Sequence, residues 1–137
     1  MHRLKLVVLP LLISAIAAAC GNGDNATPTA PTAPVTVTVT FTGTLNRQGS
    51  NTHPFTTDGG AIIATLTTVS PEATLGVTLG TWNGVACQTV ISNDRAAQGT
   101  AVIGSATGSG NVCVRLYDIG AITQETSYEV TIVHPQN

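Results

Sequence analysis

The three cysteines are the residues of this chain whose type and spacing could do chemistry. A thiol can carry a lipid, bind a metal or be oxidised to a disulfide, and an odd number of cysteines leaves one thiol to be explained. Cys87 and Cys113 close a loop of about 27 residues, and neither has a histidine or another cysteine at metal-ligand spacing. If Cys20 has a separate role, Cys87 and Cys113 are left as a pair, for which we predict a structural disulfide, with a reactive or metal-binding thiol as the alternative.

The N-terminal segment has the composition of an export signal. Arg3 and Lys5 precede an uncharged apolar stretch over residues 6–18. As a helix this stretch would span about 20 Å, which is shorter than the roughly 30 Å hydrocarbon core of a bilayer. We interpret residues 1–19 as a signal peptide and not as a transmembrane helix.

The signal segment ends in small residues and a cysteine, Ala17-Ala18-Ala19-Cys20-Gly21. This sequence resembles the lipobox of bacterial lipoproteins, with Ala17 where that family usually has leucine. The resemblance implies that Cys20 is acylated and becomes the mature N-terminus, which makes the membrane a partner through the acyl chains. Gly21 in place of aspartate favours the outer membrane, on its periplasmic side or at the cell surface. The alternative is cleavage after Ala19 by the ordinary signal peptidase.

The charge of the chain excludes one class of partner. Charged residues make up 9% of the sequence, and the formal net charge is −2. Two of the 5 basic residues, Arg3 and Lys5, belong to the predicted signal peptide, so the remaining chain is mildly acidic with its 7 carboxylates. Nucleic-acid binding needs clustered lysine and arginine, and we therefore predict no nucleic-acid partner.

Residues 20–34 are predicted to be a lipidated cysteine followed by a flexible tether. Pro28, Pro31 and Pro34 recur among threonine and alanine without apolar periodicity. This composition favours an extended, polyproline-type spacer over packed structure. The folded domain is expected to cover residues 35–137.

From residue 35 onward the hydrophobic pattern has a period of two. Apolar residues alternate with threonine over residues 35–45, and no later segment has a sustained helical period. Seven further strands are predicted at 52–57, 61–69, 74–82, 85–92, 100–107, 111–119 and 127–134, with a polar loop at 93–99. Asn83-Gly84 is the strongest hairpin signal and is expected to have positive φ at both residues. The pattern predicts an all-β protein, a jelly-roll-like antiparallel β-sandwich of about eight strands.

Alternation within the 111–119 strand also places the disulfide. The core face is predicted to consist of Val112, Val114 and Leu116. The opposite face then holds Cys113, Arg115 and Tyr117. We therefore expect the disulfide at the outer surface or under a loop, and not between the two sheets.

Several segments resemble bacterial pre-peptidase C-terminal domains. They are Phe41-Thr42-Gly43-Thr44-Leu45 with Phe55, the Gly-rich turn and residues 61–66, the strand over residues 110–117, and the closing strand over residues 128–132. The resemblance implies a jelly-roll-like sandwich found on secreted proteins, and relatives in clostridial collagenases bind calcium and collagen.

This chain departs from that family where metal binding is concerned. Residues 74–79 contain none of the acids of the family's Asp-rich strand. We carry over the fold alone and predict neither a metal site nor a cofactor, because calcium needs several oxygen ligands at one place. Asp58, Asp94 and Asp118 are instead expected to be turn or cap residues.

No constellation of catalytic residues is recognisable in the sequence. His53 and His134 each precede a proline at a strand edge and are expected to face solvent. There is no nucleophile-elbow motif, no phosphate loop and no closely spaced pair of carboxylates. We therefore predict that the protein is not an enzyme.

Trp82, Arg115 and Tyr117 form the candidate binding surface. Exposed aromatic and arginine side chains dominate protein contacts, and an aromatic ring can stack on a sugar. The structural alternative is that Trp82 caps an open end of the sandwich and Tyr117 covers the disulfide. The threonine-rich first strand, with few charged residues, is also weakly protected against pairing with another strand.

Together these observations favour a lipid-anchored, exported, non-enzymatic module with a structural or interaction role at the bacterial cell envelope. Its partner would be an envelope protein or a glycan. The alternative is a carbohydrate- or matrix-protein-binding module.

Overall fold

The computed structural model describes residues 28–137 of the chain, and residues 32–137 of these form one compact unit. The predicted signal peptide and Cys20 lie outside the described residues. Residues 28–35 are exposed and have no regular secondary structure. Among the described residues no helix is long and apolar enough to cross a membrane.

The folded unit is built from eight β-strands, which confirms the predicted fold class. Their bounds are β1 Thr36–Leu45, β2 Ser50–Thr57, β3 Gly60–Ser70, β4 Leu75–Trp82, β5 Cys87–Ala96, β6 Ala101–Ala106, β7 Gly110–Asp118 and β8 Thr126–Pro135.

The strands form two four-stranded antiparallel sheets. Sheet A has the order β1-β8-β3-β6, and sheet B has the order β2-β7-β4-β5. This interleaved order is that of a jelly roll, in which consecutive strands alternate between the two sheets over much of the chain. The edges are β1 and β6 in sheet A, and β2 and β5 in sheet B.

The hydrophobic core lies between the sheets and follows the predicted alternation. In β7, Val112, Val114 and Leu116 are buried as expected. The same holds for alternate residues of the neighbouring strands, namely Ile62, Ala64, Leu66, Leu75, Val77, Leu79, Tyr128, Val130 and Ile132. Apolar residues at every second position, facing one another across the two sheets, thus hold the sandwich together.

The strongest differences from the sequence prediction concern β5 and the turn before it. The predicted loop at 93–99 is wrong at its start, because β5 stays paired with β4 as far as Ala96. Two register shifts between β4 and β5 accommodate extra residues in β5, and bulges of this kind cannot be recognised from alternation. In the turn only Gly84 has positive φ, while the Asn83 side chain accepts hydrogen bonds from the amides of Val85 and Ala86.

Candidate functional site

The predicted binding residues lie on the outer face of sheet B. Because Val114 and Leu116 point into the core, Arg115 and Tyr117 on the same strand point away from it. The neighbouring strand β4 presents Gly76, Thr78 and Gly80 to this face. All three are nevertheless buried, since side chains of β7 and the chain of β5 lie over them.

The Cys87–Cys113 disulfide crosses β4 on this outer face, which confirms the predicted pairing. Cys87 lies opposite Trp82 on one side of β4, and Cys113 lies opposite Gly80 on the other, with 5.8 Å between the cysteine Cα atoms. A Cβ atom at Gly80 would overlap the carbonyl oxygen of Gln88 and approach the Cys87 sulfur. The glycine therefore makes room for the bridge between β5 and β7. Cys113, which forms one half of this bridge, is fully buried.

Tyr117 is held in place by residues of three strands. Its ring lies over Gly76, where a Cβ atom would overlap the ring, and its hydroxyl donates a hydrogen bond to Asp94 Oδ1 on β5. The guanidinium carbon of Arg115 lies 5.3 Å from the ring centroid, which is within cation–π range. Burial, together with the hydrogen bond to Asp94, raises the pKa of Tyr117.

The structure separates the candidate residues into two places. Trp82 is half-buried at the end of β4, next to the disulfide, whereas Tyr117 lies over Gly76, six residues away along the strand. At about 3.4 Å per residue this is roughly 20 Å. Tyr117 therefore does not cover the disulfide, contrary to the structural alternative above, because the bridge crosses β4 at Gly80.

A second cluster, on the β1–β2 side of the sandwich, was not predicted. His53 stacks on Phe41 with 4.7 Å between ring centroids, and its Nε2 atom lies 2.7 Å from the hydroxyl oxygen of Tyr128. Burial lowers the pKa of His53 and raises that of Tyr128. The signal that was missed is the position of His53 in an alternating strand with Phe55, which places both side chains on the inner face.

His134 is part of the core, so the expectation that it faces solvent is wrong. It is 1% exposed, and its ring centroid lies 5.0 Å from that of Phe55. Nδ1 lies 3.2 Å from the carbonyl oxygen of Pro135, and Nε2 has no hydrogen-bond partner within residues 28–137. His134 follows Ile132 by two positions in β8, and this alternation turns it inward.

The acidic residues organise loops. Asp118 Oδ1 accepts hydrogen bonds from the amides of Gly120, Ala121 and Ile122, and Oδ2 accepts one from Gln48. These bonds, the one from Gln48 foremost, lower the pKa of Asp118.

In the part of the chain that the structure describes, no three histidine, cysteine or acidic side chains are grouped so that they could hold a metal ion.

A cleft of about 300 Å³ opens between the edge strands β5 and β6. Leu79, Ile91 and Val112 contribute its apolar wall, and Gly104, Gly108 and Gly110 keep it wide. Ser105, Thr81 and Asn111 are among its polar lining groups, and none of its lining side chains is titratable. The cleft can accept a small apolar group but offers no acid or base to a substrate.

No protein-family model matches the chain, and no curated protein matches it. Among solved structures, a mitogen derived from Yersinia pseudotuberculosis is similar in fold, with a TM-score of 0.58 and 15% identity, over 75% of this chain and 90% of that one. A pilus protein of Bacillus endospore appendages, described as a family of disulfide-linked pili, has a TM-score of 0.40 and 15% identity, over 75% of this chain and 88% of that one. At this identity the first likeness concerns the fold alone.

Proposed function

We propose that this protein is an exported, lipid-anchored, non-enzymatic β-sandwich module with a structural or interaction role at the bacterial cell envelope. The observation that carries the proposal is the Cys87–Cys113 disulfide, because such bonds persist in oxidising compartments outside the cytoplasm. With two of the 3 cysteines used in this bond, Cys20 is the one thiol left for acylation.

The chain before β1 supports the anchor. Residues 28–35 are exposed and irregular, and three prolines recur between residues 28 and 34. A spacer of this composition extends by about 3 Å per residue, which would hold the sandwich away from the membrane surface. The jelly-roll strand order also suits a relative of the pre-peptidase C-terminal domains, and we propose that relationship on the strength of the resembling strands.

The non-enzymatic part of the proposal rests on the described side chains. The cleft between β5 and β6 contains no titratable residue, and His134 is enclosed by the core. His53 is engaged by Phe41 and Tyr128. General acid–base chemistry requires such a group within reach of a bound substrate, and none of these meets that condition.

Fractionation of cells that express the full chain tests the anchor. We expect the protein in the membrane fraction and Cys20→Ser in the soluble exported fraction. The matched control is the Cys87→Ser/Cys113→Ser double variant, which lacks the disulfide but keeps Cys20 and should remain in the membrane fraction. An unchanged distribution of Cys20→Ser contradicts the proposal.

A carbohydrate- or matrix-protein-binding role is the second candidate, favoured by the fixed arrangement of Arg115 on the Tyr117 ring. A clamped aromatic ring loses little conformational entropy when a ligand stacks on it. Glycan and matrix-protein binding should then be lost in Tyr117→Ala. Because Trp82 lies roughly 20 Å away, a small glycan at Tyr117 should still bind to Trp82→Ala. Absence of binding by the unmodified chain rejects this candidate.

A further inference from the structure

The four edge strands differ in how they are protected against pairing with another strand. In sheet B, β2 contains Pro54, and β5 has two register shifts together with the charged pair Asp94 and Arg95. In sheet A, β6 is only 6 residues long. Prolines, bulges, charges and short length are the devices by which proteins block edge strands.

Strand β1 has none of these devices. It is 10 residues long, contains no proline or charged residue, and pairs with β8 over its whole length without a register shift. Within residues 28–137, β8 is its only strand partner. An edge of this length and regularity is a template for a further strand.

The hydrogen bonds to β8 determine which backbone groups of β1 point outward. The Gln136 amide donates to the carbonyl oxygen of Val35 at 2.9 Å, so this pair is of the hydrogen-bonded kind. Such pairs alternate along an antiparallel ladder, and the odd-numbered residues of β1 therefore bond to β8. The even-numbered residues direct their N–H and C=O groups away from the sheet, and they are Thr36, Thr38, Thr40, Thr42 and Thr44.

The side chains of β1 follow the same division. All five threonines are exposed on the outer face, while Val37, Val39 and Phe41 are half-buried on the inner face. Thr40 on β1 faces Thr131 on β8, with 3.5 Å between the hydroxyl oxygens. Thr65 on β3 lies opposite Thr131 on the other side of β8. The outer face thus carries a row of cross-strand threonines that ends at the β1 edge.

We propose that β1 is a self-association site, at which the β1 strands of two copies of this chain pair in antiparallel fashion about a two-fold axis at Thr40. Only pairing between even-numbered residues uses the backbone N–H and C=O groups that point outward. With the two-fold axis at Thr40, all five even-numbered residues of β1 are paired. Thr40 then pairs with Thr40 of the second copy, Thr38 with Thr42, and Thr36 with Thr44. The two A sheets become one eight-stranded sheet.

A second copy fits this edge because the strand is complementary to itself. In the proposed register threonines meet threonines on the outer face, and Val39 meets Phe41 on the inner face, where aromatic and β-branched residues pair favourably. The chain is acidic overall, but β1 contains no charge, so two copies do not repel each other here. The inference concerns β1 alone and does not depend on acylation of Cys20.

Cysteine cross-linking of the full chain in cells tests both the site and the register. Thr40→Cys should give a disulfide-linked dimer on mild oxidation, because facing Cα atoms of a hydrogen-bonded pair lie about 5.5 Å apart, within the range that a disulfide spans. Thr38→Cys should stay monomeric, because its two copies would lie at least about 13 Å apart. Thr56→Cys, exposed on β2, is the matched control for an edge outside the site.

Co-purification of two differently tagged copies provides a readout without new cysteines. Thr40→Lys places two like charges opposite each other and should abolish co-purification, whereas Thr56→Lys should not. A cooperative urea-unfolding transition of each purified variant shows that it is folded. The proposal is overturned if Thr40→Cys remains monomeric, if it cross-links to a different protein, if Thr38→Cys or Thr56→Cys dimerises equally, or if Thr40→Lys still co-purifies.

Discussion

His53 on β2 and Tyr128 on β8 are joined across the two sheets by a hydrogen bond of 2.7 Å between the imidazole Nε2 and the phenol oxygen. Tyr128 is 2% exposed, so this bond lies at the boundary of the core. Phe41 on β1 covers the imidazole ring. Polar and aromatic contacts therefore close the β1–β2 side of the sandwich, whereas the β5–β6 side opens into a cleft.

The burial of His53 makes the stability of the sandwich sensitive to pH. Burial lowers the pKa of His53 in the folded state, whereas the unfolded value is about 6.5. The folded state therefore binds a proton less readily, and the contribution of His53 to stability is full above pH ~6.5 and is lost as the pH falls through the lowered pKa. Thermal unfolding between pH 7.5 and 5 should show a smaller pH dependence in His53→Gln than in the unmodified chain. An equal pH dependence in the two proteins would exclude this role.

Gly43 on β1 lets Tyr128 reach His53. A Cβ atom at Gly43 would lie 2.5 Å from the Tyr128 hydroxyl oxygen and 2.7 Å from Cζ. We expect Gly43→Ala to reduce the free energy of unfolding by about 1–3 kcal/mol through overpacking. Gly110→Ala is the matched control, because a Cβ atom there meets nothing within 4 Å and this strand glycine has no positive φ. Similar losses in urea unfolding of both variants would contradict the argument.

The disulfide should be a major contributor to stability. Closing a loop of about 27 residues is worth on the order of 3–4 kcal/mol in the chain-entropy model. We expect the free energy of unfolding of Cys87→Ala/Cys113→Ala, measured in urea, to be lower by about this amount. The control is Cys20→Ala, which changes a residue before the sandwich and should unfold like the unmodified chain. If Cys20→Ala loses as much free energy of unfolding as the double variant, the disulfide is not the cause of the loss.

The 2 tyrosines of this chain can be titrated separately. Burial raises the pKa of both Tyr117 and Tyr128, and the hydrogen bond to Asp94 raises that of Tyr117 further. Absorbance near 295 nm should therefore show ionisation of both phenols above pH ~10, the usual tyrosine value. In Tyr128→Phe the remaining transition belongs to Tyr117, and adding Asp94→Asn should move it to lower pH. No movement would mean that Asp94 does not contact the phenol in solution.

The features that depend on the alternation of side chains along one strand could be predicted from the sequence. The features that depend on how distant strands pack against each other could not. The inward face of β7 and the Cys87–Cys113 pairing are as expected, because the first follows from the alternation of side chains and the second from the number of cysteines. Alternation alone would leave the face of β4 that includes Thr78 on the outside of the sandwich. That face is buried, because Tyr117 and β5 fold over Gly76 and Gly80.

The same distinction explains the candidate site. Parity correctly grouped Arg115 with Tyr117, which lie two residues apart on one strand. Alternation could not show that Trp82 lies six residues along β4 from Gly76, the residue opposite Tyr117. That distance depends on the register between β4 and β7. The sequence prediction ends the last strand at residue 134 and places His134 at its edge, whereas β8 runs to Pro135 and the alternation that turns Ile132 inward continues through His134.

The intact mass of the protein extracted from membranes of its host, before and after reduction, tests the proposed function most directly. We predict a mass that corresponds to residues 20–137 plus acyl groups, and an increase of about 2 Da on reduction of the single disulfide. A mass without acyl groups, or one that still includes residues 1–19, would contradict the lipid anchor. A mass that does not change on reduction would contradict export to an oxidising compartment.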